Sequence, residues 1–262
     1  MRDLLEAVAR GELSPAAAEV RLNGYVTSDA GRFDATRTQR SGVPEAILAT
    51  GKTTEEVTTL VEASVEATGR AIATRVDPPI ASAIRQRLAE VVPDATIQFD
   101  ERAQTLVVHT PAFDPPALDA SIAVVSAGTS DALPAGEAAT IAAEMGATVE
   151  RIRDVGVASL DRLLDQLETI RAQDVVIVAA GREGALPTVL AGLVDVPVIG
   201  LPVSTGYGHG GEGEAALIGM LQSCTALTVV NVDAGFTAGA QAGLIARQLD
   251  EARRDATNSN EA

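Results

Sequence analysis

From Ser121 onward the chain repeats one rhythm: a short apolar run, a turn of small residues, then a helical stretch. The apolar runs are SIAVVS (121–126), TVERI (148–152), DVVIVAA (174–180), VPVIGLP (196–202) and LTVVNV (227–232). Helices are expected between and after them, at about 134–145, 157–172, 184–193, 212–222 and 235–252. Strands this apolar need cover on both faces, and helices alternating with them supply it. The expected fold class is therefore α/β: a five-stranded parallel sheet with right-handed crossovers and helices on both faces. Ligands on such sheets bind outside the carboxyl ends of the strands. The loops starting at Ser126, Ala180, Pro202 and Asn231 are expected to form one site.

The first part of the chain follows a different pattern. Leu4, Leu5 and Val8 share one face of a short helix within residues 1–19, which GELS and Pro15 break. Residues 23–56 are mostly polar. Thr53 or Thr54 is placed to cap a helix ending near Gly69. RAIATRV (70–76) and ATIQFDERAQTLVVHTP (95–111) read as short strands around a helix at 78–91. TPAFDPPALDA (110–120), with three prolines, marks a boundary. The expected division is a small α+β unit at 1–115, an α/β unit at 119–255, and a frayed tail at 256–262.

Composition narrows the partners. Aromatic residues make up 2% of the chain and Trp is absent, so the core must be built from Ala, Val, Leu and Ile. A net charge of −16 repels phosphate backbones and anionic membranes, which excludes nucleic-acid and membrane-surface partners. Lys52 is the only lysine, a lysine-poor acidic composition like that of proteins from salt-loving organisms. Cys224 is the only cysteine, so no intrachain disulfide forms. MRDLLEAVARGELSPAAA lacks the apolar core of a signal peptide, and no apolar run is long enough to cross a bilayer. A cytoplasmic protein is expected.

Three loops carry candidate chemistry. In SAGTSD (126–131), Ala127, Gly128, Thr129 and Ser130 let backbone amides approach an anion at a helix start, and Asp131 adds an acceptor. The same residues also suit an ordinary strand-to-helix turn. In AAGREGALP (179–187), Gly181 and Gly184 leave room for a ligand beside Glu183, an acid at a helix start that also suits the helix dipole. PVSTGYGHGGEGE (202–214) holds five glycines in thirteen residues, the composition of a loop that closes over a ligand or of a flexible linker. Its His209 is an acid–base candidate or an exposed side chain. ATGKTT (49–54) is not a phosphate loop, because Ala46 stands where that motif needs glycine. Lys52 nevertheless points to a specific role for an ammonium. Asp34, Arg37 and Arg40 are three residues apart, so on a helix they line one face, with Glu45 nearby; they form a solvated ion-pair ladder or meet a substrate anion.

GTSD (128–131) is similar to the first loop of the aminoimidazole ribonucleotide carboxylases of purine synthesis. Those enzymes follow the second strand with a Ser-Ala-His-Arg segment whose histidine moves the substrate proton. The corresponding stretch here, RIRDVGVASLDRL (151–163), contains no histidine. A longer match runs through six blocks in order: RFDATRTQRSGVPEAILATGKT (32–53), SAGTSD, EGALP (183–187), STGYG (204–208), GMLQSC (219–224) and NVDAGFTAG (231–239). These resemble the LarB carboxylase/hydrolase family, a relative of the PurE enzymes. HGGEGE (209–214) departs from some members.

The resemblance implies a flavodoxin-like, PurE-like fold for the second half and a homo-octameric assembly. It implies nicotinic acid adenine dinucleotide, CO2 or bicarbonate, and water as substrates. The pyridinium ring would be carboxylated at C5 and the phosphoanhydride hydrolysed to AMP, in nickel-pincer nucleotide biosynthesis. Cys224 would form a transient adduct, with Glu183 and Asp131 as further catalytic groups. Ala185, Leu186, Ser204, Gly206, Tyr207, Gly208, Asn231 and Asp233 would join the residues above in binding substrate, together with Arg37, Arg40, Glu45 and Lys52. Mg2+, held mainly by substrate phosphates, is expected. Two other readings stay open: a purine-type carboxylase or mutase, and a non-catalytic nucleotide-binding module.

Overall fold

A computed structural model describes residues 2–206 and 208–261. The chain divides between Asp114 and Pro115 into two compact units.

The first unit opens with helices α1 (Arg2–Ala9) and α2 (Pro15–Asn23). Pro15 does more than end the first helix: it occupies the first turn of α2, where its missing amide is harmless, and Ser14 caps it by accepting from the Ala17 amide. A hairpin of β1 (Val26–Ser28) and β2 (Gly31–Phe33), helix α3 (Arg37–Ser41) and strand β3 (Ile47–Leu48) then fill the polar segment. Thr53 caps α4 (Thr54–Thr68) through a reciprocal box with Glu56, and Gly69 closes it at φ 75°. Strands β4 (Arg70–Thr74), β5 (Thr96–Asp100) and β6 (Thr105–His109) complete a sheet of order β3-β4-β6-β5. Helices α4 and α5 (Pro78–Val91) cover it, with Val57, Val61, Ile84 and Leu88 packed on Ala71, Ala73, Leu106 and Val108.

The second unit is the expected parallel sheet. Its strands are β7 (Ser121–Ser126), β8 (Thr148–Ile152), β9 (Val175–Ala180), β10 (Val198–Pro202) and β11 (Thr228–Val229), in the order β11-β10-β9-β7-β8. That is the 2-1-3-4-5 order of flavodoxin-like folds. Alternate residues feed two cores. Ile122, Val124, Ile177, Ala179 and Leu201 pack against α6 (Ala132–Glu144) and α11 (Gly235–Glu261). Ala123, Val125, Val176, Val178 and Val198 face α7 (Leu160–Leu164), α8 (Leu167–Arg171), α9 (Ala185–Ala191) and α10 (Glu214–Leu221).

Three expectations change. The helix expected at 157–172 is split into α7 and α8, because the Gln166 amide donates to the Leu163 carbonyl and tightens the chain there. The last strand is two residues long rather than six, since it pairs with β10 only at Thr228 and Val229. The tail expected to fray continues α11 to Glu261, and the Thr257 and Ser259 hydroxyls donate to carbonyls four residues back.

Helix α11 lies close on α6 through a stripe of glycines. A Cβ at Gly239 would stand 2.4 Å from the Ala138 carbonyl oxygen, and one at Gly235 2.3 Å from that of Pro134. Gly239→Val therefore forces the two helices apart and destabilises the unit by about 2 kcal/mol, within the usual range for overpacking. Calorimetry of the variant is expected to show a melting transition lowered by several degrees; an unchanged transition contradicts this contact.

Candidate functional site

The loops after β7, β8 and β9 enclose a cleft of about 420 Å3 at the carboxyl ends of the strands. Ala127, Gly128, Ser130 and Asp131 line it from the first loop, Gly156, Val157 and Ala158 from the second, and Ala180, Gly181, Arg182, Glu183, Ala185 and Leu186 with Thr205 close it. Parallel strands start and end in register, so loops distant in sequence meet at one edge. Backbone bonds tie them: the Gly156 amide donates to the Ala127 carbonyl at 2.9 Å, and the Ala127 amide to that of Ala179 at 3.0 Å. Gly156 has no room for a side chain, as a Cβ would lie 2.8 Å from the Ala127 oxygen.

Asp131 organises this edge. It is buried at the end of a single 3₁₀ turn, Thr129–Asp131, that leads into α6. Its Oδ2 accepts from the Gly128 amide at 2.7 Å, while Ser130 Oγ and Thr205 Oγ1 both donate to Oδ1 at 3.4 Å. Burial raises the proton affinity of this carboxyl above the ordinary Asp range, and the hydrogen bonds from Gly128, Ser130, Thr205 and Ala127 oppose that shift. A carboxyl in such a setting is suited to proton transfer as well as to anchoring. Glu183 is exposed at the rim. Arg182, beside it, sits in the left-handed region at φ 53° and also lines the cleft.

The other expected residues fall into five groups. Thr129 lies in the 3₁₀ turn and Gly184 caps α9, where a Cβ would meet the Ala216 oxygen at 2.6 Å. Ser204, Gly206, Gly208 and exposed His209 belong to the loop after β10, whereas Tyr207 lies outside the described residues. Asn231 and Asp233 follow β11 and do not line the cleft; the Asp233 carboxylate instead accepts from the Ser204 amide at 3.0 Å and fixes the β10 loop.

Arg37, Arg40, Glu45 and Lys52 are in the first unit. Asp34 precedes α3 rather than sharing its face with Arg37 and Arg40, yet Arg40 turns back to it at 2.6 Å and holds its carboxyl below the ordinary range. Arg37 pairs with Glu45 at 2.8 Å, and Lys52 Nζ donates to the Leu48 carbonyl at 2.8 Å.

Cys224 is exposed and stands apart from the cleft of its own chain. It follows α10 and precedes β11, at the amino end of the sheet. Its neighbour Thr225 reaches Gly192 at the end of α9, whereas Ala185 and Leu186 at the start of α9 line the cleft. The seven-residue α9, about 10 Å long, separates the two.

The loop after β8 and Arg182 were not among the expected site residues. GVA (156–158) contributes backbone and small apolar side chains, which leave no chemical motif; Arg182 was readable from its place next to Glu183.

Among the described residues no cluster of three His, Cys, Asp or Glu side chains is arranged to hold a metal ion, and no helix is long and apolar enough to cross a membrane.

The LarB/PurE-like N-terminal domain family matches residues 25–110, and the AIR carboxylase family matches residues 121–260. An uncharacterised protein of Methanocaldococcus jannaschii is 36% identical over 94% of this chain and 97% of its own length. Among solved structures, a Treponema denticola PurE protein is 17% identical, covering 54% of this chain and 96% of its own with a TM-score of 0.37. A Listeria innocua β-glucosidase is 16% identical over 64% of this chain and 25% of its own, with a TM-score of 0.31.

The buried Asp131 makes stability pH-dependent. Because its folded pKa is raised, the native state keeps a proton that the unfolded state releases, between the ordinary Asp value and the raised one. Wild-type stability therefore falls across that window as pH rises. Asp131→Asn, which still accepts from Gly128, lacks this fall. Melting curves followed upward in pH from the ordinary Asp value of 3.8 are expected to show the variant gaining on wild type; parallel curves contradict the assignment.

Proposed function

This chain belongs to the AIR carboxylase family as a LarB-type member related to PurE, and from that footing we propose that it carboxylates nicotinic acid adenine dinucleotide at C5 and hydrolyses its phosphoanhydride. The products are AMP and pyridinium-3,5-biscarboxylic acid mononucleotide, in nickel-pincer nucleotide biosynthesis. The observation that carries this reading is the cleft itself, where the Gly128–Asp131 loop meets Arg182 and Glu183 at the carboxyl edge of the sheet. Backbone amides at the start of a helix and a guanidinium suit a diphosphate. The carboxyl groups suit proton movement at the ring.

The chemistry follows from the charge of the pyridinium. It is electrophilic at C4, and the Cys224 thiolate of a neighbouring copy adds there, since Cys224 stands apart from the cleft of its own chain. The electron pair displaced onto the ring makes C5 an enamine-like nucleophile, which attacks CO2. The C5 proton then leaves to the Glu183 carboxylate, and expulsion of the thiolate restores aromaticity. Water next cleaves the anhydride between the two phosphates, so one CO2 and one water enter for each AMP released. Asp131 fixes the Gly128 loop by accepting from its amide. Mg2+ on the diphosphate supplies charge neutralisation when bound; with no ligand cluster among the described residues, phosphate oxygens would hold it.

The purine carboxylase reading lacks support in the second loop, where Gly156, Val157 and Ala158 line the cleft and no histidine occurs between 151 and 163.

Purified protein given the dinucleotide, isotope-labelled bicarbonate and Mg2+ is expected to release AMP and a labelled biscarboxylate, followed by mass spectrometry. Cys224→Ser is expected to fold normally and bind dinucleotide but to lose carboxylation by roughly a thousand-fold or more. Near-normal turnover by that variant, or turnover of aminoimidazole ribonucleotide in place of the dinucleotide, overturns the reading.

A further inference from the structure

We propose that the first unit carries a ligand site of its own, a cavity against α3 that takes the purine base of a nucleoside or nucleotide. The inference does not rest on the function proposed above. The cavity holds about 310 Å3 and is lined by residues of α2, α3, α4 and β4 together with Phe33 and Phe113. That volume lies at the lower end of the usual range for ligand pockets, which suits a single ring system rather than a dinucleotide. The chain has four phenylalanines and no Trp, and two of the four line this one cavity. Phe113 is fixed from the sheet. Arg70 and His109 are partners across β4 and β6; the Arg70 guanidinium stands 4.9 Å from the Phe113 ring centroid, and the His109 ring stacks on it at 4.8 Å. In a protein whose cores are largely aliphatic, aromatic rings gathered at one cavity point to a flat, unsaturated ligand.

The polar lining narrows the kind of ring. Asp34 and Glu45 line the cavity, but their ion-pair partners Arg40 and Arg37 do not. Each carboxylate is thus neutralised by a guanidinium outside the lining and keeps lone pairs for a neutral N–H donor. Thr38 and Gln39, exposed on α3, add donors and acceptors at the mouth. A purine presents what this set requires: a flat face for the phenyl rings, amino or ring N–H groups for the carboxylates, and ring nitrogens for the Gln39 amide, the pairing by which Gln reads adenine in DNA. Two carboxylates in the wall repel a phosphate, so the base is the recognised group and a sugar or phosphate stays at the mouth. The site also gives the polar stretch at 33–45 a role that packing does not. Helix α3 buries none of its residues. It is held by its two ion pairs and by the Thr36 hydroxyl, which donates to the Gly24 carbonyl at 3.1 Å.

Photolabelling of the full-length protein with 8-azidoadenosine and 8-azidoguanosine, followed by peptide mapping, tests the site. Label is expected on the peptides that line the cavity, within 33–45 or 64–72. An excess of the matching unmodified nucleoside or its monophosphate is expected to suppress it, and an excess of uridine is not. Labelling by one probe and not the other identifies the base as adenine or guanine, and either supports the proposal. Ala67, half-buried in the wall, is the position at which a larger side chain fills the cavity, and Ala67→Phe is expected to abolish the label. Gln39→Leu, at an exposed position that leaves the fold intact, is expected to raise the probe concentration needed for half-labelling about tenfold through loss of hydrogen bonds to the base. Should Ala67→Phe fail to fold, Gln39→Leu decides. Label confined to the cleft loops at 126–131 and 180–186, no label on either set of peptides, equal protection by uridine, or unchanged half-labelling of Gln39→Leu overturns the proposal.

Discussion

Everything in the second unit depends on the burial of one strand on both faces. All six residues of β9, Val175–Ala180, are buried, and they alternate between two separate cores. Such a strand needs helices on each side. Helices on each side require crossovers, and crossovers make neighbouring strands parallel. Parallel strands bring all their carboxyl ends to one edge, so three loops far apart in sequence converge there with no further instruction. The close seating of α11 on α6 belongs to the same economy. With almost no aromatic residues to fill space, the core is closed by letting backbones approach at Gly235 and Gly239.

At that edge one buried carboxyl turns a packing arrangement into a site. Asp131 accepts from the amide of its own loop and from a hydroxyl of the β10 loop, so it couples loop shape to the chemistry of the cleft. Burying a carboxyl is unfavourable in its ionised form, which is why its proton affinity rises. Arg182 stands at the same edge, in a backbone conformation that non-glycine residues seldom adopt.

The strands and most helices of the second unit were legible because apolar runs and turn residues alternate without interruption. The first unit was legible where the same signals appear, as at Thr53, Gly69 and α5. Elsewhere it was not: β1, β2, α3 and β3 lie in a polar stretch, and bonds such as Thr36 to the Gly24 carbonyl, which no periodicity announces, fold it. In the site, SAGTSD and REGAL announced themselves by composition. The β8 loop did not, because Gly156 acts through backbone approach. Cys224 shows a different limit. Its block marks the chain's family, but proximity in a linear motif does not say which end of the sheet a residue occupies. The family itself was legible, in blocks spread from Arg32 to Gly239.

In the proposed reaction, sulfur addition inverts the polarity of the pyridinium ring before any carbon–carbon bond forms. That step has a signature of its own. In D2O without CO2 or bicarbonate, the enamine-like adduct takes up deuterium at C5, loses the original C5 proton to solvent, and on expulsion of the thiolate leaves deuterium at C5. Proton NMR of nicotinic acid adenine dinucleotide incubated with wild-type protein is therefore expected to show the C5 signal disappearing, and to show it intact with Cys224→Ser. Retention of that signal by wild type, over a time in which the same preparation given bicarbonate completes carboxylation, contradicts the account.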